Sequence, residues 1–168
     1  MNIRERIDAR SDDDGAVAVM VGLLVVVLFG MAVFATDFGL AYSRSRQLQT
    51  ASDGAALAAA KTFADNAPAG ASCSTVLSSA ASAARTTAVT YATLNWPTGS
   101  RLATGAAPAG WSGDAGVAYR CNPASSVEVR VTTENTSPAI FGAIFGTSGF
   151  ELSRPATAAM GAPSAIQG

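Results

Sequence analysis

An uncharged apolar run near the N-terminus constrains this chain more than any other feature. From Ala16 to Ala35 it reads AVAVMVGLLVVVLFGMAVFA, and no charged residue interrupts it. Because an α-helix rises about 1.5 Å per residue, a run of this length just spans the hydrocarbon core of a bilayer. We therefore predict one transmembrane helix over residues 16–35 and a single-pass membrane protein.

The residues before the run predict its orientation and leave three forms of the mature chain open. Three arginines precede the run and no basic residue follows it before Arg44, which favours a cytoplasmic N-terminus. Residues 1–15 then form a short cytoplasmic leader or tail. The chain stays intact, is cut after Gly15 so that it starts at Ala16, or is cut after Ala35 as an ordinary signal peptide.

The helical pattern continues beyond the apolar run. No proline occurs before Pro68, and apolar or small residues recur at three- and four-residue steps. We predict one helix from about Ala16 to Ala64, with an amphipathic, extracytoplasmic second half over residues 36–66. This half covers the sheet of its own domain or, in addition, packs against neighbouring subunits. The expected buried stripe comprises Phe38, Ala41, Tyr42, Leu48, Ala51, Ala55 and Ala58.

The remainder, residues 67–168, predicts a small exported α+β domain. Ser74–Leu94 is alanine-rich and indicates a second helix, capped by Ser74 or a neighbour. Its expected buried stripe is Val76, Leu77, Ala80, Ala81, Ala84, Ala88, Tyr91 and Leu94. Residues 95–116 are rich in Gly, Pro, Ala and Ser and predict a long irregular loop that contains Trp96 and Trp111.

Strand patterns follow this loop. Residues 117–121 and the alternation of Val127, Val129 and Val131 with polar residues predict strands joined by a turn at 122–125. Residues 138–146 indicate a short apolar helix with four core side chains. Residues 150–159 predict a last strand, in which Pro155 suggests an edge position or a break, before a loose tail. The expected core side chains of the short helix are Ile140, Phe141, Ile144 and Phe145.

The fold class that follows is α+β. A long N-terminal helix, half transmembrane and half amphipathic, packs on a small antiparallel sheet together with a second helix.

The chain has two cysteines, Cys73 and Cys121. A single pair suits one disulfide in an oxidising compartment, which would place the domain outside the cytoplasm. Closing a loop of this length would stabilise the fold by about 4 kcal/mol in the chain-entropy model. Two unpaired buried thiols are the alternative.

The amino-acid composition argues against an enzymatic function. The chain has no histidine and a single lysine, Lys61, so the commonest general base and metal ligand are missing. The net charge of −1 and the scattered basic residues give no electrostatic case for nucleic-acid binding. We expect no catalytic residue, no cofactor, no metal and no small-molecule substrate.

The N-terminal region resembles the Flp pilus-assembly TadE/TadG-like family. The resemblance covers the segment DDDGAVAVMVGLLVVVLFGMAVFATDFGLAYSRSRQLQTASDGAALAAA and, to a lesser degree, the C-terminal FGAIFGTSGFELSRPATAAM. The residues that carry it most clearly are Asp37, Gly39, Arg46, Gln47, Leu48, Gln49, Ala51, Asp53, Ala55, Ala56 and Leu57.

Membership in that family would imply a pilin-like arrangement of these elements and a structural role in a tight-adherence pilus, a branch of type IV pili. Such proteins are regarded as minor pilins or pseudopilins, made as precursors in the bacterial inner membrane. The expected partners are the membrane, other pilin-like subunits and the assembly platform. The family implies cleavage between Gly15 and Ala16 by a prepilin peptidase. Met20 stands where type IV pilins commonly carry a glutamate, so we expect an assembly component in or below the pilus.

Two acidic residues of the motif have alternative roles. Asp37 is either a solvated residue at the outer membrane boundary or a contact to a partner helix. Asp53 lies one turn after Gln49, so a pairing within the helix explains it. A different function also remains open, since exposed Trp96 and Trp111 would suit a membrane-anchored binding module, an adhesin or envelope sensor without a role in pili.

Overall fold

The computed structural model describes residues 3–68, 70–122 and 126–160. Its helices are α1 (Ile3–Asp65), α2 (Cys73–Asn95) and a short 3-10 helix (Gly142–Phe145). Its strands are β1 (Arg101–Leu102), β2 (Ser112–Gly113), β3 (Val117–Asn122), β4 (Ser126–Pro138) and β5 (Gly149–Met160). The predicted α+β class is confirmed. Most of the predicted turn at 122–125 and the predicted loose tail lie outside the described residues.

The chain divides into two compact units. The first comprises Met1–Gly39 with Ala139–Ser148, and the second comprises Leu40–Pro138 with Gly149–Gly168. Helix α1 runs through the boundary between Gly39 and Leu40 without a break. It also begins earlier than predicted, at Ile3 instead of about Ala16. No proline interrupts residues 3–15, and their Arg, Glu and Asp residues permit helix.

In the first unit, the apolar half of α1 is accompanied by the connection between β4 and β5. The predicted helix over residues 138–146 is reduced to one 3-10 turn, because β4 continues to Pro138. Gly146, at φ 80°, ends that turn in the left-handed region. The predicted burial of Ile140 is wrong, since 58% of it is exposed, and Phe141 is also exposed. The side chains of residues 144 and 145 lie outside the described set.

The second unit contains a five-stranded antiparallel sheet built around β4. β3 pairs with the first half of β4, from Ser126 to Val131, and β1 pairs with its second half at Thr133 and Glu134. β5 pairs along all of β4 from Val127 to Pro138, and therefore occupies the opposite edge. β2 pairs with β3. Among the described strands β5 has one partner, so Pro155 stands in an edge strand as predicted.

Both helices of the second unit pack with one face of the sheet. Val127, Val129 and Val131 alternate onto this face and are fully buried. Phe63 of α1 meets Tyr119 of β3 edge to face, with ring centroids 5.7 Å apart. The buried residues of α1 and α2 in this cluster are mostly alanines, which allow close helix–sheet contact: Ala55, Ala56, Ala59, Ala60, Ala80, Ala84, Ala88 and Ala92.

The buried stripe of α1 is narrower than the sequence predicts. Ala41, Leu48, Ala51 and Ala55 are buried, as predicted. Tyr42 is exposed because it lies about 100° round the helix from Ala41. Two further predicted members do not belong to the buried stripe, since Phe38 is exposed and Ala58 is half-buried.

Helix α2 forms where it was predicted. Ser72 is its N-cap, and its side chain accepts a hydrogen bond from the backbone N–H of Thr75. Trp96 adopts an extended conformation at the other end, because the following Pro97 disfavours helical backbone there. The predicted burial of Tyr91 and Leu94 is wrong, since Ala88 and Ala92 take the inner positions of the last turns.

The segment after α2 is more ordered than predicted. It contains β1, β2 and an isolated bridge between Ala106 and Asp114. Trp96 is half-buried and packs against the core. Trp111 is also half-buried, and the guanidinium of Arg120 lies 4.5 Å from its ring centroid. Both tryptophans of this segment are therefore partly covered by other residues of the chain.

Cys73, the first residue of α2, and Cys121, in β3, form a disulfide with a Cα–Cα distance of 5.8 Å. Both cysteines lie in the second unit, where the bond links the start of α2 to the end of β3. The predicted pairing is confirmed.

Candidate membrane and assembly helix

The apolar half of α1 has the properties of a membrane span. Among the described residues, one helix is long and apolar enough to cross a membrane, with a mean hydropathy of 2.9 in its most apolar window. None of that window is buried against the rest of the protein. Its large exposed side chains include Leu23, Leu24, Leu28, Phe29 and Phe34. A continuous apolar surface of this kind needs lipid or other helices around it.

Asp37 makes the most specific polar contact of the first unit. Its carboxylate accepts hydrogen bonds from three consecutive backbone N–H groups of the β4–β5 connection. The distances are 3.0 Å from Ile140 to Oδ1, 3.3 and 3.1 Å from Phe141 to Oδ1 and Oδ2, and 2.7 Å from Gly142 to Oδ2. Only 4% of Asp37 is exposed. The expected solvated role of Asp37 is therefore wrong, because its carboxylate is bonded to the backbone of its own chain. A contact to a partner helix stays a prediction.

Gly142 is required for the closeness of this contact. A Cβ at this position would lie 2.8 Å from the Cβ of Ala139 and 3.4 Å from Oδ2 of Asp37. The first distance is shorter than real Cβ contacts allow, so a larger residue would push the connection away. Sequence reasoning missed this pairing because more than a hundred residues separate the partners. The glycines of FGAIFG are the available signal, but glycine also occurs in turns and helix ends that make no such contact.

In the second unit, buried hydroxyl groups join α1 to the sheet. Ser52 donates to the backbone carbonyl of Arg154 at 2.7 Å. The hydroxyl of Thr133 lies 2.8 Å from Ser52 Oγ and 3.3 Å from the carbonyl of Leu48. Both side chains are fully buried. Sequence reasoning also missed Ser52, although its position four residues after Leu48 places it on the buried face.

The motif residues that carry the family resemblance divide between two faces of α1. Leu48, Ala51, Ala55 and Ala56 are buried. Gln49 is half-buried, donates to Oδ1 of Asp53 at 2.8 Å and approaches the carbonyl of Pro155 at 3.5 Å. Gly39, Gln47, Asp53 and Leu57 are exposed, and 65% of Leu57 is accessible. The structure therefore assigns the buried members to packing, while nothing within the described chain explains the exposed Leu57.

Three exposed members of the motif, Arg46, Asp53 and Leu57, belong to a surface stripe of α1, which we call the outer stripe. It follows helical spacing and consists of Arg46, Thr50, Asp53, Leu57 and Lys61. Asp53 and Leu57 also border a shallow groove of about 380 Å³, whose other wall is the edge strand β5 at residues 156–159. Small side chains line that wall: Ala156, Thr157, Ala158 and Ala159.

Charged side chains on the other face of the sheet form a separate cluster. Arg120 Nε and Asn122 Nδ2 each donate to Glu128 at 2.6 Å. The hydrogen bond from Asn122, followed by that from Arg120, lowers the pKa of the Glu128 carboxyl.

Tyr119 belongs to the core on the helix-facing side of the sheet. Burial raises the pKa of its phenol, although the nearby Arg85 opposes this effect. Within the described residues no group of three or more His, Cys, Asp or Glu side chains is placed to hold a metal ion.

The predicted cleavage position lies inside helix α1. Gly15 and Ala16 are both exposed and helical. Met20 is also exposed, one turn after Ala16.

Comparison with known proteins gives a match in the N-terminal part of the chain. No curated protein and no solved structure gives a match. One family model does match, over residues 15–62, and it carries the description "Putative Flp pilus-assembly TadE/G-like". The matched segment contains the span, Asp37, Ser52 and the outer stripe. The apolar span and this match together indicate membrane anchoring and a part in Flp pilus assembly. Over residues 15–62 the chain is therefore similar to the TadE/G-like pilus-assembly family, as its sequence motif predicts.

Proposed function

We propose that this protein is a minor pilin-like, or pseudopilin, component of a Flp pilus assembly, with a structural and non-catalytic role. The observation that carries the proposal is the position of the family match. It coincides with a single uninterrupted helix, α1, whose first half is apolar and exposed and whose second half packs on a sheet. Pilin-like subunits need both properties, since the same helix must anchor the precursor and support the exported domain.

The proposed topology follows the order of the segments. Residues 1–15 lie in the cytoplasm, 16–35 cross the membrane, and 36–66 continue the helix outside. Residues 67–168 form the exported domain with its disulfide. The Cys73–Cys121 pair supports this orientation, because disulfides persist in oxidising compartments.

The outer stripe is the proposed contact for other pilin-like subunits. Its apolar member, Leu57, is largely exposed and lies one turn from Asp53. An aliphatic side chain flanked by charged groups suits the packing of helices side by side. The buried motif residues then maintain the fold, whereas the exposed ones contact the assembly.

The first experiment is deletion of the gene with complementation by the full chain. The deletion strain should lose surface pili and adhesion, and the wild-type copy should restore both. Intact pili and normal adhesion in the deletion strain would contradict the proposal. Replacing Leu57 by Asp should prevent complementation although the protein accumulates. Replacing Thr86 by Asp, on the exposed face of α2, should complement normally.

A second experiment identifies the partners directly. A photoreactive amino acid at Leu57 should yield crosslinks to pilin-like subunits or to the assembly platform in living cells. The same group at Thr86 serves as the matched control, because it is exposed on the other helix. Equal crosslinking from both positions would contradict a specific outer-stripe contact.

The mature N-terminus tests the proposed processing. Sequencing the protein from membranes should give Ala16 if a prepilin peptidase cuts after Gly15. A start at Met1 identifies an uncleaved anchor, and a start at Thr36 identifies a secreted domain, which would contradict membrane anchoring. The orientation is tested by fusing alkaline phosphatase to the C-terminus, where activity requires export.

A further inference from the structure

The β4–β5 connection presents an apolar surface that the pilus role does not explain. None of the residues from Ala139 to Ser148 is charged. Ile140 is 58% exposed and Phe141 is 36% exposed. Single exposed apolar residues are ordinary on protein surfaces, so their meaning depends on where the connection lies.

Asp37 determines that position. Its carboxylate receives the N–H groups of Ile140, Phe141 and Gly142, all within the first unit. Asp37 itself follows Ala35, the last residue of the apolar run, by two residues. At about 1.5 Å of rise per residue, the carboxylate is therefore attached roughly 3 Å beyond the end of the run.

Two exposed aromatic side chains lie at the same level of the helix. Phe34 and Phe38 lie on either side of Asp37 in the sequence, and their ring centroids are 5.8 Å apart. Both are largely exposed. The connection is consequently held at a level where the helix still exposes apolar side chains, at the expected border between hydrocarbon and headgroups.

The backbone of the connection is suited to a place with little water. A non-helical segment near hydrocarbon is tolerated only where its polar groups have partners. Asp37 satisfies three of its N–H groups. Two more N–H groups form hydrogen bonds within the turn. The N–H of Gly146 donates to the carbonyl of Ala143 at 3.2 Å, and the N–H of Thr147 donates to the carbonyl of Gly142 at 3.0 Å.

We propose that residues 139–148 form a second membrane contact, which inserts into the interfacial region of the bilayer that the span crosses. Ile140 and Phe141 face the boundary between headgroups and acyl chains, and Asp37 holds the segment there. The occupant of this apolar surface is lipid, because the surface continues that of the span, which lipid surrounds. The inference rests on the proposed membrane anchoring by residues 16–35.

The test measures depth with a fluorophore. The full chain carrying Ile140→Cys is labelled with a nitrobenzoxadiazole group and reconstituted into vesicles of phosphatidylcholine and phosphatidylglycerol. Mass spectrometry verifies that the native disulfide is intact and the label is at position 140. We expect a blue-shifted emission and a loss of intensity when lipids with a nitroxide near the headgroup are included, since interfacial segments lie roughly 5–10 Å into this boundary.

Two reference positions separate the possible failures. Thr36→Cys reports the end of the span and should be quenched, whereas Thr157→Cys in β5 should not. Quenching at position 36 without quenching at 140 overturns the proposed contact and leaves the anchor intact. Absence of quenching at both positions overturns the membrane anchoring itself.

A second labelled variant, Ala143→Cys, controls for misfolding of the connection by Ile140→Cys. Ala143 is exposed and cysteine is little larger than alanine, so this substitution should not disturb the fold. Quenching at position 143 supports the contact even if Ile140→Cys misfolds. A blue shift that occurs only at high protein-to-lipid ratio, without quenching by the nitroxide, would show that another protein copy covers the surface. That result also overturns the proposal.

Discussion

Asp37 Oδ2 accepts a hydrogen bond from the backbone N–H of Gly142 at 2.7 Å, across 105 residues of sequence. The same carboxylate accepts from the two preceding N–H groups. One side chain next to the end of the apolar run therefore organises the start of a short 3-10 helix far along the chain.

Replacing Asp37 by alanine should release the connection. Three backbone N–H groups lose a charged acceptor, and hydrogen bonds to charged groups contribute about 1.5–3 kcal/mol. A free-energy change of about 1.4 kcal/mol changes an equilibrium constant tenfold. We therefore expect the amides of residues 140–142 to exchange with deuterium roughly 10- to 150-fold faster. Mass spectrometry of the full chain in detergent micelles measures this rate. Asp53→Ala, at an exposed position on the same helix, should leave it unchanged.

Replacing Gly142 by alanine should loosen the same contact without removing the carboxylate. The added Cβ would lie 2.8 Å from that of Ala139, so the backbone must move. We expect faster exchange at residues 140–142, as with Asp37→Ala. Gly54→Ala is the matched control, because nothing lies within 4 Å of its added Cβ. That change should raise helix stability by about 0.5–1 kcal/mol. Unchanged exchange in Gly142→Ala would show that the connection has room to adjust.

The buried hydroxyl pair of Ser52 and Thr133 should be energetically coupled. Ser52→Ala leaves the carbonyl of Arg154 without its donor and should cost about 1–3 kcal/mol of unfolding free energy. Thr133→Val should cost a similar amount. The double variant should cost less than the sum, since the two groups share one network. Denaturant titration of the full chain in micelles gives the values, and full additivity would contradict the coupling.

Removing the disulfide should destabilise the second unit through the unfolded state. Cys73 and Cys121 are 48 residues apart, and closure of such a loop contributes about 4 kcal/mol in the chain-entropy model. The double variant Cys73→Ala with Cys121→Ala should unfold at a correspondingly lower denaturant concentration. Reduction of the wild-type chain should shift its unfolding in the same direction, and an unchanged midpoint in both cases would contradict the prediction.

Glu128 should make the second unit sensitive to acid. Its pKa in the folded protein is lowered by Asn122 and Arg120, so the folded state binds its proton less readily than the unfolded state. The stabilisation that ionised Glu128 gives the folded state is complete above the ordinary carboxyl pKa of 4.5, and it is lost as pH falls through the lowered pKa. Thermal unfolding of Glu128→Gln should therefore depend less on pH in this acidic range. The control is Glu151→Gln in β5, which has an exposed side chain and should retain the wild-type dependence.

The sequence by itself determined the longest elements and their chemical character. Twenty uncharged apolar residues require lipid or other helices around them, the lack of proline before Pro68 keeps α1 continuous, and the alternating valines of β4 define a buried face. The presence of two cysteines predicted the disulfide between Cys73 and Cys121. These features are local, because they depend on helix and strand periodicity and on the solvation of each side chain.

Only the tertiary structure decided which residues meet across the chain. Whether Asp37 is solvated or bonded depends on where residues 140–142 lie, and no local pattern contains that distance. The exposure of Leu57, Tyr91 and Ile140, all apolar, was likewise decided by packing. An apolar side chain is buried only where a facing surface exists, and alanines on the neighbouring positions allowed the helices to approach the sheet more closely than the larger residues would.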